Sequence, residues 1–186
     1  MNVIVTSVKD VFIIEPDVFG DKRGWLFESW SEKKMQDKGL FYNFVQDNHS
    51  FSELKGTLRG LHFQKGDAAQ AKLVRCSRGV VMDFAVDMRK NSPTYKKWVG
   101  VELSAENHRQ LLIPRGFLHA FLTLTDDVEF LYKADNYYSP ENDRNILWND
   151  PEIGIDWGTE NPILSEKDKN APLLKDSDID FIYTEK

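Results

Sequence analysis

Short runs of alternating apolar and polar residues recur along most of the chain. A period of two is typical of a β-strand with one buried face. Turn-forming groups such as "SRG", "KNSP", "SAEN" and "TDD" separate several of the runs. The pattern predicts strands at residues 3–8, 11–16, 25–30, 41–48, 57–64, 72–77, 80–89, 98–104, 108–113, 119–125 and 128–138. So many short strands with so little helix favour a mainly β sandwich or barrel.

Alternation separates the two faces of two of the predicted strands. In residues 80–89 one face is wholly apolar and the other is mixed, because Asp83 and Asp87 alternate with Val81 and Ala85. In residues 128–134 the alternation places Tyr132 on the apolar face, which we expect to be the interior one. A phenol in that position needs a polar partner.

The remaining chain divides into one early helix and a long C-terminal segment. Ser31 can cap a helix in "SEKKMQDKG", with Glu32 in its first turn and Gly39 as its stop. We expect residues 1–186 to form one domain, with a jelly-roll core at about 40–138. Residues 139–186 are rich in Pro, Asn, Asp and Trp without sustained periodicity, and we expect them to wrap the barrel as ordered loops and short helices.

Composition narrows the class of protein. The 186 residues carry a net charge of −6, which argues against non-specific nucleic-acid binding. Cys76 is the only cysteine, so an intrachain disulfide and a cysteine-rich zinc site are excluded. The sequence has no signal-peptide pattern and no apolar run of membrane-spanning length. We therefore expect a cytoplasmic protein with no membrane partner.

Four polar residues on the predicted strands could carry chemistry. His62, Lys72, Tyr132 and His119 would offer a base, a cation and an acid inside a barrel. These groups suit proton transfer at a carbon next to a carbonyl, where a lysine ammonium can stabilise the enolate. Each residue alone also fits a structural role, since a lone strand histidine or an interior tyrosine is more often part of the core.

The stretch "IPRGFLHAF" around His119 resembles the second motif of the cupin superfamily of small jelly-roll barrels. A metal-binding cupin would also have two histidines and a glutamate in its first motif. Here His62 is followed by Phe63 and Gln64, so the ligand count argues against a metal site. A metal-dependent cupin and a non-catalytic sugar-binding module remain alternatives.

Longer motifs point to one family. "DNHSFSELKGTLRGLHFQ" and "AKLVRCSRGVVMDFAVDMR" resemble the dTDP-4-dehydrorhamnose 3,5-epimerases, whose fold is a cupin-type jelly roll. The resemblance continues in order through "FGDKRGWLFESW", "LYKADNYYSP", "LWNDPEIGIDW" and "LSEKDKNAP" and covers nearly the whole chain. It implies that His62 removes the C3 and C5 protons of a 4-keto-6-deoxy sugar, paired with Asp168. It further implies that Tyr132 is the acid and that Lys72 stabilises the C4 enolate.

The same resemblance implies a dTDP-sugar site that needs no cofactor. The residues expected to bind the nucleotide-sugar are Gln46, Asp47, Asn48, Arg59, His119, Tyr138, Asp143 and Lys167. Of these, Tyr138 would stack on thymine. Arg23 and Glu28 would come from the neighbouring subunit of a homodimer. Asp143 stands where the family usually has a glutamate, and a shorter carboxylate reaches less far. A 3-only epimerase of a specialised deoxysugar pathway is a further alternative.

The strand at residues 57–64 contains a conflict. Strict alternation puts Arg59 and His62 on opposite faces, whereas the proposed roles need both in one cavity. Gly60 lies between them, and bulges are common beside active sites. We therefore predict a β-bulge or a sharp twist at Gly60 or Leu61 that turns both side chains inward.

Overall fold

The computed structural model describes residues 1–185 and contains two antiparallel sheets and a separate hairpin. The larger sheet has the order β1-β2-β10-β7-β12-β5 and the smaller β13-β6-β11-β8-β9, while β3 and β4 form the hairpin. The strands are β1 Asn2–Val5, β2 Phe12–Glu15, β3 Phe19–Asp21, β4 Gly24–Leu26, β5 Gln46–Ser52, β6 Leu58–Gln64, β7 Lys72–Arg78, β8 Val80–Asp87, β9 Trp98–Ser104, β10 Gln110–Ile113, β11 Phe117–Thr123, β12 Val128–Ala134 and β13 Asp143–Asn145.

The two sheets pack face to face around the main core. Apolar side chains from β7, β10 and β12 of the larger sheet meet those from β8, β9 and β11 of the smaller sheet. Phe121 and Phe130 stack across this interior with ring centroids 4.1 Å apart. The sequence expectation of a mainly β, cupin-like jelly roll is confirmed. Tyr132 packs against the same core, as its alternation predicted.

The outer face of the smaller sheet is covered by residues that follow β12. Phe84 and Val86 of β8 belong to a second cluster that includes Ile153, Trp157 and Leu174. The rings of Phe84 and Trp157 lie 4.6 Å apart. Because both faces of β8 are buried, one face can be wholly apolar while the other carries Asp83 into the interior.

The helices are short. Helix α1, Glu32–Gln36, is capped by the Ser31 hydroxyl, as the sequence predicted, and α2 comprises Glu166–Lys169. Two 3₁₀ turns occupy Gly66–Ala68 and Leu174–Asp176. Within residues 1–185, none of the helices has the length and apolar character that a bilayer crossing would require.

Some predicted strand boundaries were wrong. The strand expected at residues 41–48 begins at Gln46 and continues to Ser52, because Tyr42 and Phe44 pack as a loop against α1 and its neighbours. Residues 25–30 are mostly irregular, and only their start belongs to the hairpin strand β4. Strand β13 was not predicted, since a three-residue edge strand gives no periodic signal.

Candidate active site

A cavity of about 410 Å³ opens at one end of the space between the two sheets. Its walls include polar residues of the larger sheet, of the smaller sheet and of the C-terminal segment, together with the ring of Phe121. The polar residues are Ser50, Thr57, Arg59, His62, Lys72, His119, Tyr132, Ser165 and Asp168. The cavity therefore contains all four of the residues predicted to carry acid-base chemistry.

Arg59 and His62 reach this cavity together because β6 is irregular between them. Arg59 pairs with Phe121 of β11 and His62 pairs with His119, so three residues of advance along β6 match only two along β11. Gly60 lies at this point with φ of 138°. A Cβ on Gly60 would lie 2.2 Å from the Cβ of Ala120, so only glycine allows the two strands to approach this closely. The predicted bulge is confirmed.

His62 forms a hydrogen-bonded pair with a carboxylate from the C-terminal segment. Its Nε2–H donates to Oδ1 of Asp168 at 2.6 Å. Oδ2 of Asp168 accepts a hydrogen bond from the Ser165 hydroxyl at 2.9 Å. Burial opposes ionisation of Asp168, but the bonds from His62 and Ser165 outweigh it and hold its pKa below the ordinary value. With the Nε2 proton in this bond, Nδ1 of His62 keeps its lone pair and can accept a proton.

Lys72 and Tyr132 face each other in the cavity. The Nζ atom of Lys72 lies 5.5 Å from the centroid of the Tyr132 ring. Burial lowers the pKa of Lys72 to about 8, although the negative charges of Asp83 and Asp143 act to raise it. Burial also raises the pKa of Tyr132, and Asp143 adds to this shift. At neutral pH the site therefore contains an ammonium cation and a protonated phenol.

The Tyr132 hydroxyl has no hydrogen-bond partner among residues 1–185, although a buried phenol was expected to have one. The physical reason is that only the ring packs against the core, while the residue is partly exposed and lines the cavity. The hydroxyl is thus accessible to a bound molecule.

A second histidine-carboxylate pair lies beside the first. His119 is the antiparallel partner of His62, and its Nε2 is 2.9 Å from Oδ2 of Asp83. Burial raises the pKa of Asp83, although His119 and Lys72 shift it in the other direction. Burial also disfavours the charged form of His119 and lowers the pKa of that imidazole. Oδ1 of Asp83 is fully buried and has no partner among the described residues.

Arg59, Gln46 and Asn48 supply hydrogen-bond donors near the cavity. The Arg59 guanidinium is held by Ser52 Oγ at 3.3 Å and by the Phe51 carbonyl at 3.0 Å. Gln46 donates to Oδ1 of Asn48 at 3.2 Å, and the buried Nδ2 of Asn48 has no partner among residues 1–185. Buried donors of this kind are costly unless a ligand accepts from them.

Tyr138 in the loop after β12, Asp143 on β13 and Lys167 on α2 form a connected group. The Tyr138 hydroxyl donates to Oδ2 of Asp143 at 3.3 Å, and Lys167 Nζ lies 2.5 Å from the same oxygen. The backbone N–H of Tyr138 donates to the side-chain oxygen of Gln46 at 3.1 Å. The Tyr138 ring itself remains exposed, with 58% of its surface accessible.

Of the residues expected to bind substrate, Arg59 and His119 line this cavity, whereas Asp47, Arg23 and Glu28 are among those that do not. Asp47 is on the opposite face of β5, paired with Lys133 at 2.8 Å, and lines a second cavity of about 320 Å³. Arg23 lies at the turn of the exposed hairpin and pairs with Asp21, while Glu28 pairs with Lys34. Their contribution to a site stays a prediction, and for Arg23 and Glu28 it requires a second subunit.

Sequence reasoning missed Ser165 and Asp83 as site residues. Ser165 had a usable signal, because "SEKD" is a serine followed three residues later by an acid, the pattern of a helix N-terminus. Asp83 had a weaker one, a lone carboxylate among the apolar residues of β8. Neither signal identifies which histidine the residue would contact.

No cluster of three or more histidine, cysteine or carboxylate side chains is placed to hold a metal ion within the part of the chain that the structure describes. His62 and His119 are each paired with a different carboxylate, Asp168 and Asp83. This arrangement suits acid-base chemistry, in which the carboxylate fixes the tautomer of the imidazole.

Comparison with known proteins gives a consistent result. A family model described as dTDP-4-dehydrorhamnose 3,5-epimerase matches residues 5–176. The enzyme of that name from Salmonella typhimurium is 58% identical over 176 residues, which are 94% of this chain and 96% of the relative. Residues 5–176 include β2 to β13 and the helix that contains Asp168.

Solved structures that resemble this chain carry the same family description or a closely related one. The dTDP-4-dehydrorhamnose 3,5-epimerase of Bacillus anthracis, with TDP and PPi bound, has a TM-score of 0.91 and 50% identity, covering 93% of this chain and 99% of its own. The dTDP-6-deoxy-D-glucose-3,5-epimerase of Legionella pneumophila, in complex with dTDP-4-keto-L-rhamnose, has a TM-score of 0.93 and 45% identity, with 99% of each chain covered.

Proposed function

The chain belongs to the dTDP-4-dehydrorhamnose 3,5-epimerase family, and we propose that it inverts C3 and C5 of dTDP-4-dehydro-6-deoxy-D-glucose. The product is dTDP-4-dehydro-L-rhamnose, an intermediate of dTDP-L-rhamnose biosynthesis, and the enzyme is an isomerase. The observation that carries this function is the His62–Asp168 pair in a cavity that also holds Lys72 and Tyr132. The C4 ketone already acidifies the neighbouring protons, so the reaction needs no cofactor.

His62 is the proposed base. Its Nδ1 removes the proton from C3, and the electron pair moves onto the C4 oxygen to form an enolate. Asp168 stabilises the imidazolium that results, because its carboxylate is 2.6 Å from Nε2 and stays ionised at neutral pH. Without that carboxylate, the positive charge would have to form in a largely desolvated cavity.

Lys72 is the proposed stabiliser of the enolate. Its ammonium makes no hydrogen bond to the described residues and is charged below a pH of about 8. A cation held ready at the oxygen where negative charge develops lowers the barrier, since nothing has to reorganise during the step. His119 lies beside His62 and lines the same cavity, and because its Nε2 is bonded to Asp83, its other nitrogen is available to a ligand.

Tyr132 is the proposed acid. It lies on β12 of the larger sheet, whereas His62 lies on β6 of the smaller one, and both side chains line the same cavity. A sugar ring between the two sheets would lose a proton to one face and regain a proton on the other. That exchange inverts the carbon, and the same groups then act at C5.

The nucleotide would bind at the open end of the cavity. Arg59 can donate two parallel hydrogen bonds to a phosphate, and the unpartnered amide of Asn48 adds a donor. Gln46 holds the backbone N–H of Tyr138 and Asp143, paired with Lys167, holds its hydroxyl, while the exposed ring can stack on thymine. Asp47 faces away from this cavity, so we assign it no direct contact within its own subunit.

We further propose a cytoplasmic homodimer. The β3–β4 hairpin exposes Phe19, Trp25 and Leu26, each more than half accessible. A second subunit that covered these side chains would place Arg23 and Glu28 beside the neighbouring site. Sedimentation analysis and a mixed dimer of inactive Arg23→Ala and His62→Ala subunits test this, because a shared site predicts partial recovery of activity.

Deuterium exchange tests the epimerisation. Incubating the enzyme with substrate in deuterated water should label C3 and C5, and His62→Ala should lose turnover by about 10²–10⁴-fold while still binding dTDP. Label at neither carbon would contradict the proposal. Label confined to C3 would indicate a 3-only epimerase, and activity lost to a chelator would indicate a metal-dependent cupin.

A further inference from the structure

Gln64 is a buried glutamine whose side chain makes three hydrogen bonds, all to backbone groups. It lies at the end of β6, two residues after His62, and is 5% exposed. Its Nε2 donates to the carbonyls of Ala68 at 2.7 Å and Tyr137 at 3.1 Å. Its Oε1 accepts from the N–H of Ser139 at 2.7 Å. One side chain thus joins the 3₁₀ turn after β6 to the loop after β12.

Two of these bonds are made to the residues immediately before and after Tyr138 in the chain. The carbonyl of Tyr137 and the N–H of Ser139 are the backbone groups immediately before and after Tyr138, and Gln64 binds both. The N–H of Tyr138 itself is held by Gln46 at 3.1 Å. The backbone of Tyr138 is therefore fixed from the interior of the protein, although its ring is exposed.

Asn136 strengthens the connection between the same two loops. Its amide donates to the carbonyl of Asp67 at 2.8 Å, and its side-chain oxygen accepts from the N–H of Tyr137 at 3.0 Å. Gln64 is the buried member of this network, so its bonds are shielded from competing water. An exposed aromatic on an unrestrained loop would lose conformational freedom when it binds a ligand.

We propose that Gln64 is a positioning residue for recognition of the nucleotide base, acting through Tyr138. It occupies the place where a metal-binding cupin would have a further ligand, and here it orders the loop that carries the exposed ring. The inference rests on the proposed dTDP-sugar function. It predicts that Gln64 affects binding of the base far more than the proton transfers at His62 and Tyr132.

A double-mutant cycle with dTDP as the ligand tests the proposal by calorimetry. We expect Gln64→Leu and Tyr138→Ala each to weaken dTDP binding by about ten-fold. The double variant should bind within about two-fold of Tyr138→Ala alone, because Gln64 has nothing left to position. Inorganic pyrophosphate, which lacks the base, should bind Gln64→Leu within about two-fold of the wild type. The KM of the dTDP-sugar should rise for Gln64→Leu with little change in kcat.

A control variant and a second substitution of Gln64 separate positioning from general damage. Thr6→Val also removes side-chain hydrogen bonds that brace a turn, to the carbonyls of Val8 and Val11, and should leave dTDP binding unchanged. If Gln64→Leu does not fold, Gln64→Glu keeps the acceptor for Ser139 and loses both donors, with the same expected loss. The proposal is overturned if the losses of dTDP affinity add independently in the double variant. It is also overturned if Gln64→Leu weakens pyrophosphate binding as much as dTDP binding, or if it leaves dTDP binding unchanged. A wild-type protein that binds no dTDP and exchanges no deuterium would instead overturn the proposed function.

Discussion

Replacement of Asp168 by asparagine tests the proposed base most directly. The side chain keeps its size, and its oxygen can still accept from the Ser165 hydroxyl, so α2 should remain in place. The change removes the negative charge that faces Nε2 of His62 at 2.6 Å. It also puts an N–H donor within reach of that nitrogen, which favours the tautomer with the proton on Nδ1. The nitrogen that should accept the substrate proton is then already protonated.

The expected loss can be worked from these two effects. A hydrogen bond to a charged group contributes about 1.5–3 kcal/mol. Since each 1.36 kcal/mol is a factor of ten in rate, losing it when the imidazolium forms lowers kcat by about 10- to 150-fold. The unfavourable tautomer adds to this loss, and we expect kcat to fall by about 10²–10⁴-fold in total. KM should change little, because Asp168 is almost fully buried behind His62.

Initial rates across a pH series and deuterium washout from C3 both report on this step. Glu166→Gln is the matched control, because it removes an exposed carboxylate from the same helix and lies outside the cavity. The control should retain wild-type kcat. An Asp168→Asn enzyme with kcat within about three-fold of wild type, at any pH between 6 and 9, would refute the role given to the pair.

Two further changes probe the cation and the bulge. The ammonium of Lys72 is lost as pH rises through its pKa of about 8, so kcat should fall above that pH, and Lys72→Met should abolish this limb and lower kcat by about 10²–10³-fold. Because the folded pKa lies below the ordinary 10.5, wild-type stability should rise from about pH 8 to 10.5, a slope that Lys72→Met removes in calorimetric unfolding. Gly60→Ala and Gly24→Ala both place alanine at a positive φ, 138° and 131°, but only the first creates a clash, with Ala120. We expect Gly60→Ala to lower the unfolding free energy by about 3 kcal/mol more than Gly24→Ala, a Tm difference of roughly 6–12 °C; equal losses would remove the steric argument for glycine.

Local pattern was sufficient for the strands that have one apolar face. Strand β8 matches the prediction because its wholly apolar face, which packs against the C-terminal segment, recurs at every second residue. Strand β5 failed for the opposite reason. Its less exposed residues Gln46, Asn48 and Ser50 are polar, and Ser50 lines the candidate active-site cavity, so no hydrophobic alternation marks the strand. Functional strands of this kind depart from the local rule.

The sequence by itself determined the fold class and the family and named the candidate acid-base groups, because these depend on residue types and on their order along the chain. It also contained the conflict between Arg59 and His62 that indicated a bulge at Gly60. Only the tertiary structure decided which groups meet. Asp168 lies 106 positions from His62, and Gln64 reaches a loop more than 70 positions away. Such contacts are set by how the two sheets and the C-terminal segment pack, and no short-range pattern encodes them. Asp47 shows the same limit, since a one-residue difference along β5 sends its side chain to the opposite face of the sheet.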